Sequence, residues 1–175
     1  MVENAAMMRS APDPETRLHD AHHESLRLWL RLLTCTLTIE RRVRAQLRER
    51  FAMTLPRFDL MAQLERNPGG LKMGELSHRL MVTSGNVTGL TDQLAGEGLV
   101  ARTPIPADRR AFRVQLTAKG KRAFDVMASE HESWVIEMFS GLSEQERDRL
   151  HALLGRLKTT LRTADAAAQV KEQRT

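Results

Sequence analysis

The apolar positions change their spacing along the chain, and each change marks a boundary between predicted elements. Spacings of three and four residues are typical of amphipathic helices, and strict alternation is typical of strands. The pattern predicts six helices: about Leu18 to Arg50, Thr54 to the stop at Asn67–Gly70, about Met73 to Leu80, Thr83 to Gly96, Thr117 to about Phe139, and Ser143 onward. It also predicts a short strand at Leu71 and two longer strands at Leu99–Arg102 and Phe112–Leu116. The chain is therefore predicted to be mainly helical with one hairpin.

Several predicted helices begin with a residue suited to capping. Thr54 and Thr83 can each accept a hydrogen bond from the first turn of the helix that follows, and Pro56 is tolerated in that turn. Ser143 and Glu146 have the spacing of a capping box. These residues predict where three of the helices start.

The first helix has more apolar surface than one small domain can cover. Its apolar residues form two adjoining stripes. The stripes are Leu26, Leu30, Leu33 and Leu37, and Leu32, Ile39, Val43 and Leu47. Two apolar stripes indicate a helix shared with a partner.

The predicted helix after Thr83 has one apolar face and one face of small, polar residues. Val87, Leu90 and Leu94 recur at helical spacing and are expected to face the core. The opposite side carries Ser84, Gly85, Asn86, Thr88, Gly89 and Asp92. Small residues let a helix enter the major groove of DNA, and each outward glycine costs about 1 kcal/mol against alanine. An ordinary surface helix is the alternative.

The hairpin that follows has a basic tip. The tip carries Pro104, Pro106, Asp108, Arg109 and Arg110. The carboxylate of Asp108 can bridge a neighbouring guanidinium and orient it toward a phosphate or a narrow minor groove. A helix followed by a basic hairpin is the arrangement of a winged helix-turn-helix, although a hydrophilic turn alone would show the same residues.

Charge is concentrated in the middle of the chain. The net charge is +5, and residues 72–122 hold nine Lys and Arg against four Asp and Glu. Residues 1–71 carry a net +2 and residues 123–175 a net −2. A local positive excess favours a polyanionic partner, and a solvated surface is the alternative.

Other features exclude several classes of protein. The single cysteine, Cys35, allows no disulfide within the chain, and no apolar run approaches the roughly 20 residues needed to span a bilayer. The N-terminus lacks the apolar core of a signal peptide, so we expect a soluble, cytoplasmic protein with no membrane partner. Neither a glycine-rich phosphate loop nor a nucleophile elbow is present. We expect no catalysis, no metal and no cofactor.

Three segments resemble the MarR family of bacterial transcription regulators. DRRAFRVQLTAKG (Asp108–Gly120) is similar to the family's wing, and NVTGLTDQLAGEGLVAR (Asn86–Arg102) to its recognition helix and following strand. LSEQERDRLHALLGRL (Leu142–Leu157) is similar to its closing helix. The resemblance extends over about residues 24–162. It implies a mainly α fold with a small β wing, made of a winged helix-turn-helix domain and a helical dimerisation domain.

The resemblance also implies a domain organisation and a mode of action. It implies a winged domain at 53–122 and dimerisation helices at 17–52 and 123–162. The polar residues 1–16, with two prolines and no periodicity, are expected to form a flexible arm, and the Ala- and Gln-rich residues 163–175 a frayed tail. The expected protein is a homodimer that binds a near-palindromic operator in double-stranded DNA. Family members are commonly repressors released by a small phenolic or other aromatic anion.

The residues expected to contact DNA lie on the recognition helix, the wing and the strand before the short helix. They are Lys72, Thr83, Ser84, Asn86, Thr88, Asp108, Arg109, Arg110 and Arg113. The sequence departs from the family at Gly89 and Gln93, where basic residues are frequent. Phosphate affinity is then expected to depend more on the wing and on four other basic residues, Lys72, Arg79, Lys119 and Lys121. Asp92 is expected to pair with an arginine or with a cytosine amino group.

A set of aromatic, methionine and basic residues is predicted to bind the effector. The candidates are Trp29, Arg31, Arg57, Phe58, Met61, Met127 and His131, with Met53 and Trp134 beside them. A plain core is the alternative for each apolar member. The segment HHESLRLWLRLLTC is similar to regulators of aromatic-acid degradation, including hydroxycinnamate and benzoate pathways. That similarity implies an aromatic acid or its coenzyme A thioester as effector.

Two other functions remain open from the sequence. Cys35 could make the protein a redox-responsive repressor, although its apolar neighbours predict a buried structural thiol. A winged domain could also serve protein contact without DNA. The basic wing favours DNA over that second alternative.

Overall fold

The computed structural model describes the backbone of residues 23–105 and 108–172 and the side chains of 23–105 and 112–163. The described residues form six helices and three strands. The helices are α1 (Glu24–Phe51), α2 (Leu55–Glu65), α3 (Met73–Leu80), α4 (Ser84–Gly96), α5 (Ala118–Met138) and α6 (Glu144–Glu172). The strands are β1 (Leu71–Lys72), β2 (Val100–Ile105) and β3 (Asp108–Leu116). The prediction of a mainly helical chain with a small wing is confirmed.

The helix limits agree with the apolar pattern except at the two ends of the chain. Residues 18–22, where the first helix was expected to begin, and the arm at 1–16 lie outside the described residues. At the other end α6 continues to Glu172. The helix therefore extends beyond Thr163, where the tail was expected to begin, and the alanine-rich segment there has high intrinsic helix propensity. Fraying of this segment stays a prediction.

Capping was predicted correctly at two helices and wrongly at a third. The Oγ of Thr83 accepts a hydrogen bond from Asn86 N at 3.5 Å. Glu146 Oε2 accepts from Ser143 N at 2.8 Å, and Ser143 Oγ accepts from Glu146 N at 3.3 Å, which completes the capping box. Thr54 occupies the N-cap position of α2 but makes no side-chain cap bond. Its role is limited to its carbonyl, which accepts from Phe58 N at 3.0 Å.

The three strands form one antiparallel sheet in the order β1-β3-β2. Leu71 lies opposite Val114, and Val100 lies opposite Leu116. The wing strands run closer to the tip than predicted, since Pro104 pairs with Phe112 and a register shift follows it. Proline lacks an N–H donor, and it is tolerated here because β2 is an edge strand.

The chain divides into two compact units, the first ending at Ala128 and the second beginning at Ser129. The core of the first unit is built from α2, α3, α4 and the sheet, with further buried side chains from α1 and α5. Its fully buried side chains are Leu47, Leu60, Met61, Leu64, Leu76, Val87, Thr91, Leu94 and Val114. Thr91 was not predicted to be inside. Its hydroxyl donates to Val87 O at 2.8 Å, which satisfies the polar group within its own helix.

Much of the apolar surface of α1 and α6 is exposed in the single chain. In α1 only Val43 and Leu47 are buried, whereas the side chain of Trp29 is 54% exposed. Cys35 is exposed as well, so the expectation of a buried thiol is wrong for the single chain. Its neighbour Leu37 is also exposed, because this part of α1 has little to pack against within the chain. Along the described residues, no helix combines the length and the apolar content that crossing a bilayer requires.

Candidate nucleic-acid interface

The outer face of α4 is small and polar, as its sequence predicts. Ser84, Asn86 and Thr88 are exposed, and so are the glycines at 85 and 89. The Thr88 hydroxyl donates to Ser84 O at 3.0 Å, which leaves its lone pairs available to an outside donor. All of these residues lie on the first two turns of the helix, near its N-terminus.

The glycines of α4 have no packing role among the described residues. A Cβ atom built at Gly85 or at Gly89 meets nothing within 4 Å. By contrast, a Cβ at Gly120 would lie 1.8 Å from Leu99 O. No packing contact among the described residues therefore requires glycine at these two positions of α4, and the missing side chains leave room for an external surface to approach the helix backbone.

An ion pair joins the outer side of α4 to the hairpin. Asp92 accepts a hydrogen bond from the Arg102 guanidinium of β2, and the two side chains are 56% and 35% exposed. Of the two partners expected for Asp92, the structure shows the arginine. The pair neutralises the carboxylate on α4 and holds a cation where helix and wing meet. Sequence reasoning had not selected Arg102, because its position beside α4 depends on how the strand folds back.

Lys72 and Arg113 lie opposite each other on adjacent strands. Lys72 is exposed, and its backbone N–H donates to Glu75 Oε2 at 2.7 Å. Arg113 Nη1 donates to Gly70 O at 3.0 Å, so part of this guanidinium anchors the turn before β1. A contact of either residue with DNA stays a prediction.

The wing-tip residues Asp108, Arg109 and Arg110 belong to β3, and their side chains lie outside the described residues. The strand pairing brings the backbone of Asp108 opposite Ile105. Their predicted contacts with phosphate or the minor groove stay predictions.

The two lysines after the wing are committed to contacts within the protein. Lys119 Nζ donates to Glu97 O at 2.8 Å. Lys121 Nζ lies 2.7 Å from Asp125 and 2.9 Å from Glu65. Its hydrogen bond to Asp125, followed by that to Glu65, raises the pKa of Lys121 above its usual range. These bonds weaken the case for both lysines as phosphate ligands.

Thr117 and Gly120 tie the end of the hairpin to α5. The Thr117 hydroxyl donates to Gly98 O at 2.7 Å and accepts from Gly120 N at 2.9 Å. Gly120 is needed because its α-carbon lies against the Leu99 carbonyl. Thr117 and Gly120 thus form a joint that holds the wing against the helix that follows it.

The predicted effector residues lie in different settings. Phe58, Met61 and Met127 are buried, and Phe58 stacks on Phe124 with ring centroids 5.4 Å apart. These three side chains pack within the core of the first unit, which agrees with the core alternative. His131 forms an edge contact with Trp134 at 6.4 Å.

Trp29 and Arg31 lie on the exposed part of α1. Arg31 borders an open groove of about 260 Å³ that Glu24, Arg27 and Leu28 also line.

Arg57 is the one buried cation of the predicted effector set. It lies in the first turn of α2 and pairs with Glu97, which follows the last turn of α4. Its Nε is buried and has no hydrogen-bond partner among the described residues. A buried guanidinium with a spare donor is suited to a carboxylate ligand.

Helix α3, the turn after it, α4 and the β2–β3 hairpin together define a winged helix-turn-helix protein. The family model described as "MarR family" matches residues 53–112. The regulator PecS of Dickeya dadantii (strain 3937) is 31% identical over 114 residues, which cover 64% of this chain and 69% of that protein. BadR of Rhodopseudomonas palustris, a "transcriptional activatory protein", is 29% identical over 146 residues, covering 81% of this chain and 83% of BadR.

A solved structure supports the same assignment. The crystal structure of a MarR family regulator from Silicibacter pomeroyi is 33% identical, has a TM-score of 0.68, and is matched over 82% of this chain and 99% of its own. The chain belongs to the MarR family. It is a DNA-binding transcriptional regulator and not an enzyme. A winged module that binds only protein is therefore excluded.

Proposed function

We propose that the protein is a homodimeric repressor that binds a near-palindromic operator and is released by a small anionic aromatic effector, an aromatic acid or its coenzyme A thioester. The observation that carries the DNA-binding part is the bare outer face of α4. Its glycines have no packing role among the described residues, and its exposed hydroxyl and amide groups can bind base edges or phosphates.

The exposed apolar surface of α6 supports the homodimer. The exposed leucines Leu150, Leu153, Leu154, Leu157 and Leu161 recur at helical spacing. Each leucine contributes about 1.5–3 kcal/mol when it is fully buried, so leaving the stripe in water is costly. A second copy offers the same stripe, and a twofold dimer places two recognition helices about one DNA turn apart.

Arg57 supports the anionic effector. An anion that binds its guanidinium competes with Glu97, which adjoins the C-terminal end of α4. A ligand with higher affinity for a conformation that is poorly spaced for the operator shifts the dimer away from DNA by that difference in affinity. The expected domain limits, with dimerisation helices at 17–52 and 123–162, are part of the same proposal.

The exposed thiol of Cys35 supports a second mode of release, by oxidation. Treatment with peroxide should then weaken DNA binding by the wild type and leave Cys35→Ser unaffected. Equal behaviour of the two proteins would exclude this mode.

A salt titration tests the DNA-binding proposal. A duplex selected by the wild type from a random library is labelled, and its affinity is measured by fluorescence anisotropy at increasing salt. The slope of log affinity against log salt should be steep, and Arg109→Ala should reduce it by about one unit. Arg147→Ala, a change of an exposed arginine on α6, is the matched control and should leave the slope unchanged. If the wild type selects no sequence, the DNA-binding proposal fails.

Two further measurements test the remaining parts. Calorimetry against aromatic acids and their thioesters should give heat with the wild type and less heat with Arg57→Lys. Lysine keeps the positive charge but lacks the paired N–H donors of the guanidinium. Absence of heat with both ligand classes would exclude this effector. A reporter fused to the operator should rise when the gene is deleted, whereas a fall would identify an activator.

A further inference from the structure

The turn between α3 and α4 contains a methionine in an unusual conformation. Met81 has φ 54° and ψ 37°, in the left-handed region. Among the described residues, only Ala52 is another non-glycine residue with a positive φ. The left-handed region is unfavourable for a residue with a Cβ atom, and glycine or asparagine is usual at this position after a helix.

Backbone hydrogen bonds hold Met81 in this conformation. Met81 N donates to His78 O at 3.3 Å, and Val82 N donates to Ser77 O at 3.2 Å. This pair of bonds is the Schellman motif, in which the left-handed residue closes the helix. The Ser77 hydroxyl also donates to Val82 O at 2.6 Å. The backbone therefore requires a left-handed residue here, and it does not require a methionine.

The side chain of Met81 makes no contribution to the core. It is 93% exposed, which is the highest value among the large hydrophobic residues that are exposed. A long apolar side chain in water, on a strained backbone, lowers stability, and burial of the side chain does not offset that loss. Such a residue points to a role outside it.

Met81 lies beside the end of α4 that meets DNA. It precedes the cap residue Thr83 by two positions, so their α-carbons lie within about 7.6 Å of each other. Thr83, Ser84 and Asn86 are exposed in the same region. The N-terminal residues of a recognition helix are those that contact base edges.

We infer that Met81 is a specificity-determining residue, whose side chain makes an apolar contact with a thymine methyl group in the major groove. The thymine C5-methyl is the apolar group that base edges offer there. The methionine side chain is flexible and polarisable, so it can follow that surface. This inference rests on the proposed operator binding by α4.

The test compares two substitutions that keep the left-handed backbone. Met81→Gly and Met81→Asn should both retain the fold, and Met81→Gly should raise the Tm. Their affinity for the duplex selected by the wild type should fall about five- to tenfold, since an apolar contact lies at the lower end of base discrimination. Ala52→Gly is the matched control, because it relieves the same conformation at the end of α1. It should raise the Tm and leave DNA affinity unchanged.

A duplex with deoxyuridine in place of thymidine identifies the contact. Removing the methyl groups should weaken the wild type and leave Met81→Gly nearly unaffected, so the two losses should not add. Additive losses, or wild-type affinity in Met81→Gly on the thymidine duplex, would overturn the inference. A changed oligomeric mass of Met81→Gly would also overturn it. If the wild type itself selects no DNA, the proposed function fails first, which is a distinguishable result.

Discussion

The region made of α4 and the wing differs from α6 in where its stabilising contacts lie. Within the first unit, α4 and β2 are connected by the Asp92–Arg102 pair, and the Thr117–Gly120 joint connects the hairpin to α5. Every described side chain of α6 is exposed, including its leucines. The comparison teaches that α4 and the wing are stabilised by contacts within one chain, whereas the apolar stripe of α6 is left exposed in it.

The largest effect on the first region is expected from Gly120→Ala. The new Cβ would lie 1.8 Å from Leu99 O, and this backbone oxygen cannot move aside as the end of a flexible side chain can. We expect a loss of about 3 kcal/mol in the free energy of unfolding, measured by urea denaturation. Gly74→Ala, where the Cβ meets nothing within 4 Å, is the control and should not destabilise. An unchanged midpoint in Gly120→Ala would contradict this account of the joint.

The next effect should appear only in the assembly of two chains. Leu153 and Leu157 are 50% and 40% exposed, so the double change Leu153→Glu with Leu157→Glu should leave the winged unit folded. It should convert a dimer to a monomer and lower operator affinity about a hundredfold or more, because the two recognition helices are no longer linked. Light scattering and anisotropy measure the two quantities.

The control for that change is Thr159→Glu, which lies on the opposite side of α6 by helical period. It should leave both mass and affinity as in the wild type. A wild-type protein that is already monomeric at micromolar concentration would contradict the dimer.

A smaller change separates stability from binding within α4. Gly89→Ala should stabilise the protein by about 1 kcal/mol, because alanine is the better helix former and the Cβ meets nothing within 4 Å. The same methyl group should lower operator affinity roughly tenfold by blocking close approach to the groove. Gly155→Ala, in α6, should give a similar gain in Tm with no effect on DNA. Unchanged affinity in Gly89→Ala would show that the bare face is not a contact.

The smallest effect concerns the start of α6. Hydrogen bonds from the backbone and then the side chain of Ser143 lower the pKa of Glu146 below its ordinary value of 4.5. A lowered folded pKa means that this contribution to stability is present above the unfolded pKa and lost as pH falls through the folded one. The Tm of the wild type should therefore decline below about pH 4.5, and the Tm of Glu146→Gln, measured by thermal unfolding, should decline less over the same range. A parallel decline in both proteins would contradict this.

The contacts that the sequence predicted correctly are local ones. The cap at Thr83 and the box at Ser143–Glu146 join residues three positions apart. The contacts that it missed are remote, since Arg57 reaches Glu97 forty positions away. Such pairs depend on the packing of α2 against α4, which periodicity does not specify. The extension of β2 through Pro104 was missed because proline suggests a turn unless the edge position of the strand is known.

The sequence by itself determined the elements, their order, the inner and outer faces of α4 and the family. Each of these follows from residue spacing or from motifs that are continuous in the chain. Only the tertiary structure decided that the glycines of α4 face open space while Gly120 lies against the Leu99 carbonyl. It also decided that Arg57 is buried while Cys35 and Met81 are exposed. The reason is that burial depends on which surfaces meet after the chain folds back, and residues adjacent in sequence can differ completely in that respect.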